Sequence, residues 1–147
     1  PKKETGYLPH DYDKNCVVYT GTHDNDTVVS WYQTLEEEQR TFLEEYMDGE
    51  EASEDGIHWD MIRLAMMSTA SICIIPIQDY LGLGNEARMN CPSTLGCNWK
   101  WRLKDGDITQ ELLIKIQKLT RRSFRMNRET EEETDGEKDK NSKKDNV

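Results

Sequence analysis

The sequence has 147 residues, enough for one domain with a hydrophobic core, and it carries a net charge of -10 with a pI near 4.8. A protein this acidic repels phosphate groups, so neither duplex nucleic acid nor an anionic membrane is expected as a partner, whereas neutral ligands such as sugars remain compatible. No stretch approaches the roughly 20 apolar residues that span a bilayer, and residues 1–15 lack the apolar segment of a signal peptide. We therefore expect a soluble, cytoplasmic protein.

The cysteines are Cys16, Cys73, Cys91 and Cys97. Disulfide frameworks belong to short secreted domains, and nothing in this sequence indicates secretion. The closest pair, Cys91 and Cys97, is spaced more widely than a zinc knuckle. Reduced thiols are therefore expected, with no metal and no other cofactor.

Two apolar runs predict strands at residues 16–20 (CVVYT) and 71–77 (SICIIPI). Neither run alternates apolar with polar residues, which is typical of strands buried on both faces of a parallel sheet. Pro76 would stand at the end of the second strand, where a missing hydrogen-bond donor matters least.

A polar segment, residues 20–27 (TGTHDNDT), follows the first strand directly. His23, Asp24 and Asn25 could bind sugar hydroxyls there, and the carboxylate could stabilise an oxocarbenium-like transition state. Gly21 would permit an unusual backbone angle. The alternative is a plain polar turn in which Asp26 or Thr27 caps the next helix, and the spacing is wrong for a calcium loop.

Helices are predicted at residues 35–47 and 57–68, separated by an exposed acidic loop at 48–55. Thr34 and Glu37 have the spacing of a capping box for the first helix, and Gly49 would end it. The second helix carries a stripe of apolar residues, Trp59, Ile62 and Met66, on one side.

A second polar segment, residues 78–90 (QDYLGLGNEARMN), follows the second strand. Its glycines do not have the full dinucleotide-binding spacing, so a polar binding loop is the better interpretation. Gln78, Arg88 and Asn90 are its candidate ligand-binding residues. The alternative is that Asp79 and Arg88 form a structural ion pair.

The third segment, residues 91–102, alternates Trp99 and Trp101 with Lys100 and Arg102. Such interleaving can bind nucleic acid, but the acidic chain argues against it, and packing is the expected role of the tryptophans.

An amphipathic helix is predicted next, at 107–127, opened by Asp107 and Gln110. Arg121, Arg122 and Arg125 would complement its dipole. In residues 129–147 only Val147 is apolar, so we divide the chain into a folded part at 1–127 and a disordered charged tail at 128–147.

The order strand, helices, strand predicts an α/β fold of parallel βα units, the building block of a (β/α)8 barrel or a doubly wound sheet. Two strands are too few to bury both faces of a sheet. We therefore expect the chain to be a fragment that needs partner strands.

The three segments together, VVYTGTHDNDT, IPIQDYLGLGNEARMN and CPSTLGCNWKWRL, resemble the C-terminal portion of 4-α-glucanotransferases of the amylomaltase, or disproportionating-enzyme, type of glycoside hydrolase family 77. The resemblance covers residues 7–103 and includes the YLPHDY lead-in. It implies the last two βα units of a (β/α)8 TIM barrel that moves α-1,4-glucan segments by a retaining mechanism, with maltooligosaccharides and α-1,4-glucans as partners.

The resemblance also implies residue roles. Asp24 matches the aspartate that stabilises the transition state, His23 a donor-subsite sugar ligand, and Asn90 an asparagine lining the same cleft. The nucleophile and the acid/base would lie on upstream strands, so the chain alone is expected to be inactive. Ser93 stands where the family often has glycine, which predicts a slightly different loop.

Two functions of other classes remain open at this point. The chain could be a noncatalytic glucan-binding module, or an acidic interaction protein recruited through its tail.

Overall fold

The computed structural model describes residues 8–47 and 53–126. Two short strands, five α-helices and two 3-10 turns make up these ranges. In chain order they are a 3-10 turn at Pro9–Asp11, β1 at Val17–Tyr19, α1 at Val28–Gln33, α2 at Glu37–Tyr46, α3 at Ile57–Met66, β2 at Ile72–Ile74, α4 at Ile77–Tyr80, a 3-10 turn at Asn85–Ala87 and α5 at Gln110–Arg122. Within these ranges, none of the helices has the length and apolar character to cross a membrane.

The strands form a parallel pair in which Val18 faces Cys73. This confirms the predicted βα arrangement, because α1, α2 and α3 make the connection between the strands. The exposure of the described residues agrees with the expectation that two strands are too few to bury both faces of a sheet. Val18 is buried, but Tyr19 and Ile74, which pair with each other, are both 47% exposed. The described helices therefore cover only one face of the sheet, and the other presents apolar side chains.

Helix α3 lies at the centre of the packing. Its predicted stripe is correct, since Trp59, Ile62 and Met66 are buried and form one cluster. The apolar face of α5 packs against this cluster through Leu112, Ile116 and Leu119. Complete burial of such a side chain contributes about 2 kcal/mol, and these three, which are partly buried, contribute less each. Helix α3 still anchors the last helix, because all three pack on it.

The start of the helical segment differs from the prediction. Helix α1 was not predicted as a separate element, and the Thr27 side chain caps it by accepting from the Ser30 backbone N–H. Thr34 ends α1 and so does not open α2. The capping box of α2 is formed by Glu36 and Gln39, two residues further on. The predicted cap by Thr27 is therefore confirmed.

The last helix is shorter than predicted. Thr109 caps it by accepting from the Leu112 N–H, whereas Asp107 accepts from the Lys104 N–H in the preceding turn. The helix ends at Arg122, and Arg125 lies beyond it. Arg125 does more than complement a dipole, because its guanidinium donates to backbone carbonyls of the α3–β2 connection.

The structure describes part of the predicted acidic loop, and this part is bound to two helices by ion pairs. Asp55 forms ion pairs with Arg63 of α3 and with Lys115 of α5, and the Lys115 ammonium also lies 4.1 Å from the centre of the Trp59 ring. The end of this loop therefore joins α3 to α5. The predicted stop at Gly49 and the charged tail at 128–147 lie outside the described residues.

Candidate functional site at the carboxyl ends of the strands

Two polar loops meet at one edge of the sheet. The first loop (residues 20–27) follows β1, and the second loop (residues 84–99) follows α4, which itself begins directly after β2. Because parallel strands end at the same edge, both loops lie on the side where α/β enzymes build their sites. All six predicted site residues lie on these loops or on α4 between them.

Asp24 is held by the second loop. The Asn90 side-chain amide donates to Asp24 Oδ1 at 2.6 Å, and the Asn90 backbone N–H donates to the His23 carbonyl at 3.0 Å. His23 Nε2 lies 3.3 Å from the same Asp24 oxygen. The Asp24 side chain is 48% exposed, so the carboxylate is fixed in place and still open to a ligand.

Asn25 and Arg88 shape the first loop. Asn25 Oδ1 accepts from the backbone N–H and the hydroxyl of Thr22, both at 2.8 Å, which closes the turn around His23. Arg88 donates to the Asp24 carbonyl at 2.9 Å and to the Asn90 carbonyl at 3.0 Å. Arg88 thus ties the backbones of the two loops together.

Asp26 is a structural residue of the site that the sequence analysis treated only as a possible cap. Its Oδ2 atom accepts from the Ser30 hydroxyl at 2.9 Å and from the Asn85 amide at 2.7 Å, and it lies 3.7 Å from Arg88 Nη1. The sequence signal for this role was the match of charge between Asp26 and Arg88, but no spacing rule pairs two loops so far apart in sequence.

Asp79 has a different partner set from the one considered. The proposed Asp79–Arg88 ion pair is wrong, because Arg88 pairs with Asp26. Asp79 is instead 2% exposed and accepts from the Thr20 hydroxyl at 2.6 Å and the Val28 N–H at 2.9 Å. A buried carboxylate with two donors from the first loop and α1 fixes their position relative to α4.

A cleft of about 530 Å³ opens between the loops. Four of the six predicted residues line it, namely His23, Asn25, Gln78 and Arg88. Gln78 is 9% exposed and donates to the Ala87 carbonyl at 3.3 Å, so it supports the wall of the cleft. Of the residues that the structure describes, Asp24 and Asn90 meet beside this cleft and do not line it.

Two backbone predictions about these loops are wrong. Gly21 does not have a positive φ. The glycines near the site that do are Gly82, at +63°, and Gly96, at +109°. Ser93 has φ +62°, the conformation that serine was expected to avoid. The Asn98 side chain, which contacts Cys91 and Thr94, holds the chain around Ser93 in this shape.

The site therefore combines a fixed, accessible carboxylate with an imidazole and an amide beside the cleft. This set can bind neutral hydroxyl groups and stabilise positive charge, which is the chemistry of glycoside transfer.

The comparisons with known proteins agree with this chemistry. A family model described as 4-alpha-glucanotransferase, of glycoside hydrolase family 77, matches residues 1–109. The 4-alpha-glucanotransferase of Clostridium butyricum is 53% identical over 116 residues, 78% of this chain and 23% of that protein. The chloroplastic/amyloplastic 4-alpha-glucanotransferase of Arabidopsis thaliana is 50% identical over 97 residues, 66% of this chain and 16% of that protein.

Among solved structures, the amylomaltase from Streptococcus agalactiae in complex with acarbose matches with a TM-score of 0.79 and 30% identity, over 86% of this chain and 25% of that one. The chain thus belongs to the 4-alpha-glucanotransferase family, glycoside hydrolase family 77, and the resemblance inferred from its three motifs is confirmed. It spans a quarter or less of the length of these relatives.

Proposed function

We propose that this chain forms the last two βα units of the (β/α)8 barrel of a 4-α-glucanotransferase, which moves α-1,4-glucan segments to the 4-hydroxyl of maltooligosaccharides or glucose by a retaining mechanism. The parallel pair with one uncovered apolar face supports this proposal, because in a closed barrel further strands and inward side chains would cover that face. We place the enzyme in the cytoplasm, with residues 128–147 as a charged extension.

In this enzyme Asp24 stabilises the positive charge of the transition state. The observation that carries the assignment is the Asn90 to Asp24 hydrogen bond of 2.6 Å, which orients a half-exposed carboxylate at the carboxyl end of β1. His23 and Asn90 bind sugar hydroxyls, and Asn25, Gln78 and Arg88 complete the binding cleft. A preorganised charge of this kind acts most strongly when the charge develops in the transition state.

The chain alone lacks activity under this proposal. A retaining double displacement needs a nucleophile and an acid/base about 5 Å apart across the scissile bond. Both carboxylates would lie on other strands of the barrel, and Asp24 cannot replace them.

The test is a hybrid enzyme in which this chain replaces the aligned segment of the Clostridium butyricum relative. We expect the hybrid to disproportionate maltotriose and the isolated 147-residue chain to show no turnover. In the hybrid, Asp24→Asn should lower kcat by about 10³-fold, the scale of losing a preorganised electrostatic group. Binding of the neutral substrate maltotriose should change little, because it carries no positive charge for Asp24 to stabilise. Asp105→Asn, at an exposed carboxylate with no hydrogen bond or ion pair to the described residues, is the matched control.

Two results would contradict the proposal. One is maltotriose turnover by the isolated chain, which would mean that it holds a complete catalytic set. The other is a hybrid whose kcat survives Asp24→Asn. A chain that binds maltotriose with a cooperative melt of its own, yet gives a folded but inactive hybrid, would favour the glucan-binding module.

A further inference from the structure

Trp99 has an unusual backbone conformation for its size. Its φ is +65°, in the left-handed region that bulky side chains rarely adopt, and its side chain remains half-exposed. A residue held in such a conformation persists only where its surroundings determine it, and such residues cluster at functional sites. The sequence predicted a partly buried packing role for this tryptophan, and the half-exposed ring packs against a residue of the candidate site.

Several contacts hold Trp99 in this conformation. Its backbone N–H donates to the Met89 carbonyl at 2.6 Å, and its own carbonyl accepts from Arg102 Nη1 at 2.9 Å. Next to it, the Asn98 side chain accepts from the Cys91 N–H at 2.9 Å and donates to the Thr94 carbonyl at 3.1 Å. Hydrogen bonds thus fix the backbone of the second loop both at Trp99 and at the residue before it.

The Trp99 ring contacts the ring of His23. The two ring centres are 5.2 Å apart and the planes are tilted by 35°. From the same loop, Asn90 binds the His23 carbonyl. The second loop therefore holds His23 at two points, the backbone through Asn90 and the imidazole through Trp99.

We propose that Trp99 is a positioning residue that sets the orientation of the His23 imidazole, so that Nε2 points toward Asp24 Oδ1 at 3.3 Å. This inference rests on the proposed roles of His23 and Asp24, and it gives a role to Trp99, which the proposed function leaves without one. This role accounts for the positive φ of Trp99, because the hydrogen bonds that fix its backbone also hold the indole against His23.

The test compares three variants of the hybrid enzyme. Trp99→Asn removes the ring but suits a positive φ, since asparagine adopts it more readily than other residues, and Trp99→Phe keeps a smaller ring. Trp101→Phe is the matched control, because within the described residues the ring that contacts His23 belongs to Trp99 and not to Trp101. Far-UV circular dichroism and the thermal midpoint show whether each variant is folded.

We expect Trp99→Asn to lower kcat for maltotriose by about 10- to 100-fold with KM changed less than about threefold, the size of effect that a misplaced catalytic group produces. Trp99→Phe, which keeps a ring, should retain most of the kcat of the parent hybrid. Independently of activity, the ring protons of His23, assigned by NMR through a His23→Gln variant, should shift in Trp99→Asn and not in Trp101→Phe.

Two outcomes would overturn the inference. These are a folded Trp99→Asn enzyme with unchanged kcat, and a His23 resonance that does not respond to loss of the indole. An inactive parent hybrid would instead contradict the proposed function, and the His23 resonance would still decide whether Trp99 orients the ring. If Trp99→Asn does not fold, Trp99→Gly, which also removes the ring and suits a positive φ, takes its place with the same expected kcat loss and His23 shift.

Discussion

The hydroxyl of Thr20, at the end of β1, donates to the buried carboxylate of Asp79 on α4 at 2.6 Å. The same carboxylate accepts the Val28 N–H at the start of α1. One side chain therefore fixes both ends of the first loop, which carries His23 and Asp24, against the segment that follows β2. The precise shape of the site depends on Asp79 even though Asp79 itself is almost inaccessible.

Replacing Asp79 should destabilise the protein strongly. Asp79→Ala leaves the Thr20 hydroxyl and the Val28 N–H without their acceptor, and each buried unsatisfied group costs about 1–3 kcal/mol. We expect a loss of roughly 3 kcal/mol or more in the free energy of unfolding of the hybrid, by urea denaturation, and a smaller loss for Asp79→Asn, which keeps one acceptor oxygen. Asp13→Ala, at an exposed side chain with no hydrogen bond or ion pair to the described part of the chain, should stay within about 0.5 kcal/mol. Equal effects of Asp79→Ala and Asp13→Ala would refute this role.

Arg125 should matter more than its position after a helix indicates. Its guanidinium donates to the carbonyls of Met66, Ser68 and Ala70 at 2.7, 3.0 and 2.8 Å. Because charge-assisted hydrogen bonds contribute about 1.5–3 kcal/mol each and are not additive, Arg125→Ala should cost about 2–4 kcal/mol.

The control for Arg125 is Arg121→Ala at the exposed end of α5, which should be nearly neutral. Arg125→Lys should fall between the two, since an ammonium cannot reproduce the planar fork. Thermal and urea unfolding measure all three. A lysine variant as stable as the parent would mean that only the charge matters.

Stability should fall as the pH drops below about 6.5 because of His58. Burial, with a smaller contribution from the Lys115 charge, lowers the pKa of His58 below its ordinary value of 6.5, although nearby carboxylates, Asp79 foremost, oppose the shift. Gly82 packs against the His58 ring so closely that a Cβ added at Gly82 would lie 2.9 Å from the nearest ring atom. Below pH 6.5 the unfolded state binds more protons than the folded state, so the contribution is complete above pH 6.5 and is lost as the pH falls toward the folded pKa.

The measurement is the urea midpoint at pH 7.5, 6.5 and 5.5 for the hybrid and for its His58→Gln variant. The variant should lose the part of the pH dependence that His58 causes. His10→Gln, on an exposed side chain, should retain it. A His58→Gln variant with the full pH dependence of the parent would contradict the assignment.

Ser93→Gly should stabilise the second loop. Ser93 has φ +62°, where a Cβ costs about 1 kcal/mol that glycine avoids. The greater freedom of glycine in the unfolded chain offsets part of this gain, so the expected increase is up to about 1 kcal/mol. Since the backbone conformation is unchanged, the kcat of the hybrid should stay within about twofold. Ser93→Ala, which keeps the Cβ, should give no gain, and a destabilised glycine variant would show that the serine is not strained.

The larger features of the fold could be predicted from sequence because they depend on local periodicity. The strands around Val18 and Cys73 and the buried stripe of α3 follow from runs of apolar residues. The helix starts could be predicted less well. Thr34 and Asp107 are residue types that often cap helices, but the N-caps in the structure are Glu36 and Thr109. A pattern of four residues does not encode the backbone geometry that decides between such neighbours.

The candidate site was predictable only in part for a different reason. His23 and Asp24 follow a strand, so their place at the sheet edge could be inferred. The partners of Asp26 and Asp79 could not be inferred. Asp26 binds Asn85 and Asp79 binds Thr20, and in each pair the two residues are 59 apart in sequence and meet only in the folded structure. The left-handed Trp99 was also unpredictable, because the conformation comes from Met89 and Arg102 and not from tryptophan itself.

The parallel pairing of β1 with β2 also has a consequence for the order of folding. The hydrogen bond between Asn90 and Asp24 links residues 66 apart in sequence, so forming it requires the whole connection through α1, α2 and α3 to be closed. Closing a long loop costs entropy before any contact between its ends offsets it. The orientation of Asp24 should therefore be among the last events in the folding of this chain, and an early intermediate with α3 already formed would have no competent site.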